Sequence, residues 1–385
     1  MAIRFVSPKS LSVLLLMMSF GVACISTNPA TQPMSPDVQS IQTTSSQIIQ
    51  NCLAVQATVP KNARLSGKLI VNSNYQFSTT SLPGFETEPM PESSHWVSLS
   101  PDQKRFVISE MIDPSTSPRL ILMNTDEQVV TSFEWEPDWE YALQWVNNNS
   151  LLIRTSDVNS LVLLNLASGE KQAIPFPYGD QLYIEYGLAK IRSDFLAFDP
   201  NLTKVIYEGE GHVFILRDLD VLPNTVLWAK RNNINWADPV WSPSGDRVAV
   251  PLMDEQGIDN LYVVGAFGDS EDQLTDFDAL YHHPASTMIY DISWSPNGIY
   301  LAIQLDLRVN EQDPPEKIGT RLAGRLLVVN SITQQITDYC LVYAFPPVWS
   351  PDGRYLAVDN YVVDLSQQTA YKVTDGYIVG WLADE

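Results

Sequence analysis

Three near-identical five-residue stretches decide the fold: WSPSG at 241–245, WSPNG at 294–298 and WSPDG at 349–353. In each copy, proline presets the backbone at the second position of a tight turn, a polar residue suits the third, and glycine accepts a left-handed conformation at the fourth. A short apolar run with alanine at its centre follows each copy. Each copy therefore predicts an aromatic-anchored strand, a hairpin turn and a second strand that is buried on both faces.

Weaker copies of the same pattern occur upstream. The anchor residues lie 43 to 55 residues apart, at Leu99, Trp145, Phe198, Trp241, Trp294 and Trp349. This spacing leaves room for four strands in each unit, and four-stranded units repeated at such a period are typical of propeller blades. Helix-period patterns are almost absent, so the sequence predicts an all-β fold.

The two ends of the chain together supply one more unit. Residues 377–385 read YIVGWLADE, a strand anchored by Trp381 that stops where its turn is due, and residues 66–71 read SGKLIV, the missing turn and second strand. Pairing the two would close a ring and remove exposed strand edges. The sequence therefore predicts a seven-bladed β-propeller closed by its N- and C-terminal strands. Six blades is the alternative if the unit near Trp145 merges with a neighbour.

The WSPDG phrase and the alanine-centred strand after it resemble the WD-like repeats of TolB-like periplasmic β-propeller proteins. The resemblance covers roughly residues 66–385, with three close copies and several degenerate ones. It implies the propeller fold and a role in protein assemblies of the cell envelope. No partner-binding motif of that family can be matched to residues of this chain, and the phrase itself concerns hairpin and blade packing rather than an active site.

The N-terminal residues predict export. An apolar stretch that is too short to span a bilayer follows two cations, which is typical of a secretory signal at 1–23. The stretch ends in GVAC, which resembles a bacterial lipoprotein signal, so we expect a lipid on Cys24 and attachment to a membrane of the bacterial cell envelope, on its extracytoplasmic side. Ordinary signal cleavage is the alternative. Residues 24–47 are rich in Ser, Thr, Gln and Pro and predict a disordered tether, which leaves residues 48–385 for the propeller.

The remaining two cysteines form an even pair. Assigning Cys24 to a lipid leaves Cys52 and Cys340 in an oxidising compartment. We hypothesise a disulfide between them, which would pin the N-terminal segment to a late part of the array. The alternative is a pair of buried thiols that are not bonded to each other.

Charge and motif content exclude several functions. The formal net charge is −22 at pH 7, and a surface this acidic repels phosphate backbones, so we expect no nucleic-acid binding. The sequence has no nucleophile elbow, CxxC pair or phosphate-binding glycine loop, and its four histidines do not predict a metal site, so no cofactor is expected. Asp199, Asp246 and Asp352 lie in or beside hairpin turns, where carboxylates serve the backbone. No catalytic residue is predicted.

Two insertions are longer than the array requires and are the predicted recognition surfaces. One occupies 279–288, ahead of the unit anchored by Trp294, and the other occupies 306–324, between the second and third strands of that unit. The candidate binding residues in these loops are Tyr281, His282, His283, Arg308, Glu311, Asp313, Lys317 and Arg321.

Together these features predict a monomeric, lipid-anchored propeller that acts as a binding or scaffold module for an envelope protein or glycan. The alternative is a propeller enzyme, a lyase or hydrolase of polysaccharide or peptide. An enzyme would place several acids and His282 or His283 within hydrogen-bond reach at one mouth of the ring, whereas a scatter of these residues over the rim favours binding.

Overall fold

Each unit predicted from the repeats forms its own sheet in a computed structural model of the chain. The structure describes residues 48–56, 58–60, 63–74, 76–90, 94–110, 119–134, 136, 139–155, 160–175, 196–209, 213–218, 225–232, 237–282, 284, 286–308, 322–342 and 345–384. All of them belong to the unit Ser45–Glu385.

Six blades take four antiparallel strands each from one continuous stretch of chain, paired in chain order. Blade 2 contains β6 (Ser94–Leu99), β7 (Arg105–Glu110), β8 (Arg119–Asn124) and β9 (Val129–Glu134). Blade 3 contains β10 (Trp139–Asn147), β11 (Ser150–Thr155), β12 (Ser160–Asn165) and β13 (Lys171–Pro175). Blade 4 contains β14 (Leu196–Phe198), β15 (Lys204–Gly209), β16 (Val213–Asp218) and β17 (Val226–Arg231).

The last three continuous blades carry the strongest repeats. Blade 5 contains β18 (Val240–Trp241), β19 (Arg247–Met253), β20 (Asp259–Gly265) and β21 (Glu271–Gln273). Blade 6 contains β22 (Ser286–Trp294), β23 (Tyr300–Arg308), β24 (Leu322–Asn330) and β25 (Ile336–Val342). Blade 7 contains β26 (Val348–Trp349), β27 (Tyr355–Val358), β28 (Tyr361–Asp364) and β29 (Thr369–Lys372).

Blade 1 joins the two ends of the chain. Its inner strand β30 (Tyr377–Leu382) pairs with β3 (Lys68–Ser73), which continues into β4 (Gln76–Ser81) and β5 (Thr87–Pro89). The inner strand β30 also contacts the inner strands on both sides, β26 of blade 7 and β6 of blade 2. The predicted seven-bladed, terminally closed propeller is therefore confirmed, and the six-blade alternative is wrong.

The repeated phrase forms the turn between the inner and second strands. In blade 7 the amide of Gly353 donates to the carbonyl of Ser350 at 2.8 Å, and Gly353 has the left-handed φ of 68°. The Ser350 hydroxyl accepts the amide of Tyr355 and donates to Asp352, so the turn satisfies its own polar groups. The degenerate copy in blade 2 keeps this geometry with Gln103 at the left-handed position, φ 57°. The two repeats therefore share the geometry of the turn but not the glycine.

The tryptophan of the phrase ties each blade to the one before it. Its indole Nε1 donates to the carbonyl that directly precedes the neighbouring anchor residue, from Trp241 to Ala197 (3.1 Å), from Trp294 to Val240 (2.8 Å) and from Trp349 to Ser293 (3.1 Å). A buried indole N–H needs such an acceptor, so this side chain fills the space between two sheets and satisfies its donor at once.

The core lies between successive sheets rather than at one centre. Ala249 of blade 5 and Leu301 of blade 6 are fully buried and belong to one apolar cluster with Trp294. The small residue at the centre of each second strand lets neighbouring sheets approach. Burying one leucine side chain contributes about 1.5–3 kcal/mol, so seven such interfaces supply most of the stability of the ring.

Two further strands lie on the outside of blades 6 and 7 and have no signal in the repeats. Strand β1 (Ile48–Gln50) pairs in parallel with β25, and β2 (Ala54–Gln56) pairs in parallel with β29, so each of these blades has five strands. We call residues 48–56 the N-terminal strap. Parallel pairing needs a partner from far away in the sequence, which explains why no local hairpin pattern predicts it.

The two predicted insertions are shorter than the sequence suggests. A single helical turn, α1 (Phe277–Leu280), occupies the start of the first, and β22 already begins at Ser286. Strand β23 continues to Arg308 and β24 begins at Leu322, so cross-strand pairing extends into both ends of the second. Within the described ranges α1 is the only α-helix, and no helix there is long and apolar enough to cross a bilayer.

Candidate functional site

A groove of about 540 Å³ opens between blades 6 and 7. Because each blade is antiparallel, the turns between inner and second strands and between third and outer strands lie on one face of the ring, which we call the turn face. The groove lies on this face. Its lining includes the blade 7 turns at Gly353 and Ser366, the blade 6 turn at Asn330, and Ile49 and Asn51 of the N-terminal strap.

The neighbouring junction shows what normally fills this space. Between blades 5 and 6, the guanidinium of Arg247 donates to the carbonyl of Gly298 at 2.8 Å and to the hydroxyl of Ser331 at 3.3 Å. The same guanidinium lies 5.3 Å from the ring centroid of Trp294. A single arginine therefore bridges both turns of the next blade and closes the junction.

At the groove a different residue stands in the place of this arginine. Tyr300 occupies the place after WSPNG that Arg247 occupies after WSPSG. The groove is lined by Gly353 and Leu365, which correspond to the two residues that Arg247 bonds. A phenol lacks the forked donors of a guanidinium, and leucine offers no acceptor where Ser331 stands in blade 6. Tyr300 remains 37% exposed at the mouth of the open junction.

Three tyrosines give the groove aromatic walls. Tyr300 and the buried residues Tyr339 and Tyr355 all line it. Burial, together with the nearby Tyr300 phenol, raises the pKa of Tyr339 to about 12. Burial, with a smaller contribution from Asp364, also raises the pKa of Tyr355. Both hydroxyls therefore stay protonated at neutral pH and act as hydrogen-bond donors.

The groove carries cations in an otherwise acidic protein. Arg64 and Arg354 are exposed and line it. No carboxylate among the described residues lies within ion-pair distance of either guanidinium. The one lining carboxylate, Asp364, is buried, and its Oδ1 accepts the amides of Ser366 and Gln367 in its own turn. The local charge is thus positive against a net charge of −22.

A second cavity continues the groove around the ring. It measures about 290 Å³ and lies between blades 7 and 1, where Arg64 and Tyr355 line both cavities. Tyr355 stacks on Trp381 there, with ring centroids 6.2 Å apart. The two cavities are neighbours that share Arg64 and Tyr355, and Asp352 and Asp384 also line the second one.

The N-terminal strap forms one wall of the groove and is fixed to blade 6. Cys52 and Cys340 are joined by a disulfide, with Cα atoms 4.8 Å apart. The amide of Asn51 donates to the carbonyl of Asp338 at 2.9 Å, and the buried Asp338 carboxylate pairs with Arg325 at 2.6 Å. The wall thus has a covalent and a hydrogen-bonded attachment to β25.

The sequence-predicted residue Tyr281 faces inwards. Its ring packs against Phe277, with centroids 6.0 Å apart, and its hydroxyl donates to the Asp338 carboxylate at 3.5 Å. Burial and the Asp338 charge raise the pKa of Tyr281. The amide of Cys340 also donates to Asp338, at 2.8 Å, so the structure links Tyr281 to the disulfide region rather than presenting it to a ligand. Among the predicted loop residues, His282 is exposed, with a φ of 57°.

The candidate Arg308 lies at the opposite face of the ring. Strand β22 starts and β23 ends at that face, where Ser286 pairs with Arg308, and Leu307 pairs with Leu322 at the start of β24. The described ends of the second insertion and the start of β22 therefore lie at one face of blade 6, opposite the groove. His283, Glu311, Asp313, Lys317 and Arg321 lie outside the described residues.

The turn carboxylates serve the backbone, as the turn chemistry predicts. Asp199 accepts the amide of Lys204 at 2.6 Å, and Asp352 accepts the amide of Arg354 at 3.1 Å. Asp246 instead accepts the hydroxyl of Ser242 in its own turn, at 2.7 Å. Within the described ranges, no group of three or more His, Cys, Asp or Glu side chains is placed to hold a metal ion. Of the four histidines, His282 is the one whose side chain is described.

A search of sequence families gives no match, and neither does a search of curated proteins. Solved structures do resemble the chain. An uncharacterized protein from Listeria monocytogenes EGD-e shares 10% identity with a TM-score of 0.51, over 85% of this chain and 96% of that one. An oligogalacturonate lyase in complex with manganese shares 13% identity with a TM-score of 0.49, over 82% and 86%. The β-propeller domain of Cps50 (Swd1) from Myceliophteria thermophila shares 13% with a TM-score of 0.42, over 76% and 87%.

Identities this low establish the fold alone. The fold and the groove together define the class of protein: a seven-bladed, WD-like β-propeller with an open groove between blades 6 and 7 on its turn face. A propeller fold hosts both binding modules and enzymes, so the function must be argued from the groove.

Proposed function

We propose that the chain is a lipid-anchored, extracytoplasmic propeller of the TolB-like group that binds a protein or glycan of the bacterial envelope in the groove between blades 6 and 7. The observation that carries the proposal is the open junction, whose volume of about 540 Å³ lies within the range typical of ligand sites. Its walls combine tyrosine rings, guanidinium groups and amides, which are the groups that dominate recognition surfaces.

The cysteines support an extracytoplasmic location. Disulfides persist in oxidising compartments and are rare in the reducing cytosol, and the bond between Cys52 and Cys340 has an exposed partner in Cys52. An exposed structural disulfide fits a protein that is exported by the predicted signal at 1–23.

The order of the chain supports a tethered binding module. A lipid on Cys24 would leave residues 24–47 between the membrane and the N-terminal strap, a span of about 80 Å at full extension. The strap is the first part of the propeller after that segment and also a wall of the groove. The ligand site would therefore stay within this distance of the membrane.

The binding proposal is tested by capture from solubilised envelopes, with the full lipidated chain as bait and mass spectrometry as readout. We expect a saturable ligand that Tyr300→Ala loses and Tyr377→Ala retains, because Tyr377 is 45% exposed but lies outside the groove. If replacement of residues 309–321 abolishes capture while the Tyr300→Ala variant still captures the ligand, the groove is rejected as the binding site. An empty capture with the wild-type chain would reject the binding module and favour a screen for lyase and hydrolase activity.

A further inference from the structure

The charged residues that line the groove favour a ligand with a negative charge. Arg64 and Arg354 are both exposed into a concave surface, and neither has a carboxylate partner within the described ranges. The whole chain has nearly twice as many acids as bases, 45 against 23, so two arginines without carboxylate partners in one groove stand out and would complement an anion. Guanidinium groups bind carboxylates bidentately, which favours planar anionic groups.

The backbone at the floor of the groove is already paired. Val328 and Asn330 lie on β24 and Thr337 and Tyr339 on β25, and both strands have neighbours on each side in a five-stranded sheet. A peptide that binds by strand addition needs an open sheet edge, which this floor does not offer. Recognition on this floor must therefore use side chains, since the open edge of this sheet beside the groove belongs to β1 in the wall.

The side chains of the groove suit a polar ring. Tyr300 presents an exposed aromatic ring at the mouth, and a tyrosine offers an apolar face together with a polar tip. Three residues with amide side chains, Asn51, Gln335 and Gln368, also line the groove. Sugar rings have the matching surface, because they expose C–H groups on one face and hydroxyls at the edge. The second cavity lies past Arg64, and because Asp352 and Asp384 line it, we expect an acidic sugar chain to end at Arg64.

We propose that the groove between blades 6 and 7 binds an acidic oligosaccharide, with a sugar ring on Tyr300 and carboxylates on Arg64 and Arg354. This inference rests on the proposed function, since it names the ligand class of the same site. The neighbouring junction, closed by Arg247, explains why the site occurs once in this part of the ring.

The test uses two probes that differ only in the carboxylate, a β-1,4-linked mannuronate tetrasaccharide and the corresponding mannotetraose, titrated calorimetrically into the full chain in detergent. We expect the acidic tetrasaccharide to bind at least tenfold more tightly. Arg354→Gln and Arg64→Gln should each weaken it about tenfold, the loss of one charge-assisted hydrogen bond. Tyr300→Ala should weaken both sugars, and Arg231→Gln, the same charge change on an exposed residue of blade 4, should change neither. Thermal melting confirms that each variant is folded.

Several results would overturn the inference. Equal affinity for the two tetrasaccharides would reject the charge argument, and tighter binding of a hexaglutamate peptide that is insensitive to Tyr300→Ala would replace the glycan with an acidic peptide. A different result would be that no sugar binds at millimolar concentration while envelope capture yields a ligand that Tyr300→Ala loses. This result would reject the acidic oligosaccharide as the ligand and would support the proposed binding function. If neither assay detects binding, both the ligand class and the proposed function are rejected.

Discussion

At Trp294 one side chain performs two physical tasks, because its ring fills the junction of blades 5 and 6 and its Nε1 donates to the carbonyl of Val240 at 2.8 Å. Trp145 has the same place in blade 3, but its buried Nε1 has no hydrogen-bond partner among the described residues. The two tryptophans therefore differ in hydrogen bonding while sharing shape and burial, 7% and 8% exposed.

This difference predicts unequal costs for the same substitution. Trp294→Phe should lower the free energy of unfolding by about 2–3 kcal/mol, because it creates a small cavity and removes the indole hydrogen bond to the Val240 carbonyl. Trp145→Phe makes a comparable cavity but removes a donor that has no acceptor, so it should cost about 1 kcal/mol less. Urea denaturation measures both, and equal losses would contradict a contribution from the indole hydrogen bond.

Asp259 is the one described carboxyl whose pKa is raised to about 7, chiefly by burial. Its side chain is fully buried at the start of β20, where Oδ2 accepts the amide of Ile289 in blade 6 at 2.8 Å and Oδ1 has no partner in the described chain. The nearby Asp254 raises this pKa further. A protonated carboxyl therefore lies between blades 5 and 6 at mildly acidic pH.

The raised pKa predicts a pH-dependent stability. Between pH 3.8 and 7 the folded state keeps a proton on Asp259, whereas the unfolded carboxyl, with a pKa of 3.8, has released it. The contribution of Asp259 to the free energy of unfolding is therefore complete below pH 3.8 and is lost as the pH rises through 7. The free energy of unfolding should fall by up to about 4 kcal/mol over this interval. Asp259→Asn should remove the slope. Asp246→Asn should leave it, since hydrogen bonding to Ser244 lowers the pKa of Asp246. An unchanged slope in Asp259→Asn would refute the assignment.

At the scale of the element, the N-terminal strap depends on tertiary attachments. Each of its strands has three residues, too few for stability on their own, and each pairs along one edge only. The disulfide joins residues 288 apart in sequence, so it removes a large amount of chain entropy from the unfolded state.

Loss of the disulfide should destabilise the protein and loosen the groove wall. Cys340→Ser should lower the free energy of unfolding by up to about 5–6 kcal/mol, the upper figure of the chain-entropy model. Amide exchange at Ile49 and Gln50 should accelerate, because β1 then keeps only its hydrogen bonds to β25. Cys24→Ser, which removes a cysteine that is not part of the bond, is the control, and equal unfolding midpoints for the two variants would contradict the prediction.

At the scale of the whole molecule, the ring is closed by a strand from the opposite end of the chain. The amide of Gly67 donates to the Asp384 carboxylate at 2.8 Å, and the buried Trp381 donates to the carbonyl of Ser66 at 2.9 Å. Gly67 has a φ of 90°, and a Cβ there would lie 2.1 Å from the carbonyl oxygen of Leu382. Close approach of two distant segments therefore requires glycine at this position.

A substitution that weakens the pairing of β30 with β3 should expose the edges of these strands. A packing defect in another blade should leave its strand edges paired. Trp381→Ala and Trp349→Ala each remove a buried indole and should each cost about 3–5 kcal/mol. Only Trp381→Ala frees an inner strand that is held by non-local pairing, so only this variant should self-associate as its concentration rises. Light scattering against concentration distinguishes the two, and identical behaviour would show that closure does not depend on this anchor.

Sequence periodicity predicted the blades because each is built from local contacts. The turns, the alanine-centred second strands and the aromatic anchors all interact within one unit or with the next, so they recur in the sequence at a readable spacing. The strand at Trp381 was predictable for the same reason, since an incomplete unit at each end implies a shared blade.

The groove could be located only in part from the sequence. Aligning the three phrases shows tyrosine at 300 where arginine stands at 247, but the meaning of that change depends on the contacts of Arg247 with Gly298 and Ser331 in the next blade. Loop length pointed instead to the opposite face, where Tyr281 packs inwards against Phe277. A long loop indicates residues that the repeated strands do not need, but its length does not indicate which way a side chain in it points.

The sequence by itself determined the all-β fold, the seven units and their closure, because hydrophobic period, turn residues and anchor spacing are local properties. Tertiary structure alone decided the parallel strap across blades 6 and 7, the inward orientation of Tyr281 and the open junction at Tyr300. Each of these depends on contacts between residues that are distant in the chain, and no local pattern encodes which distant groups a side chain will meet.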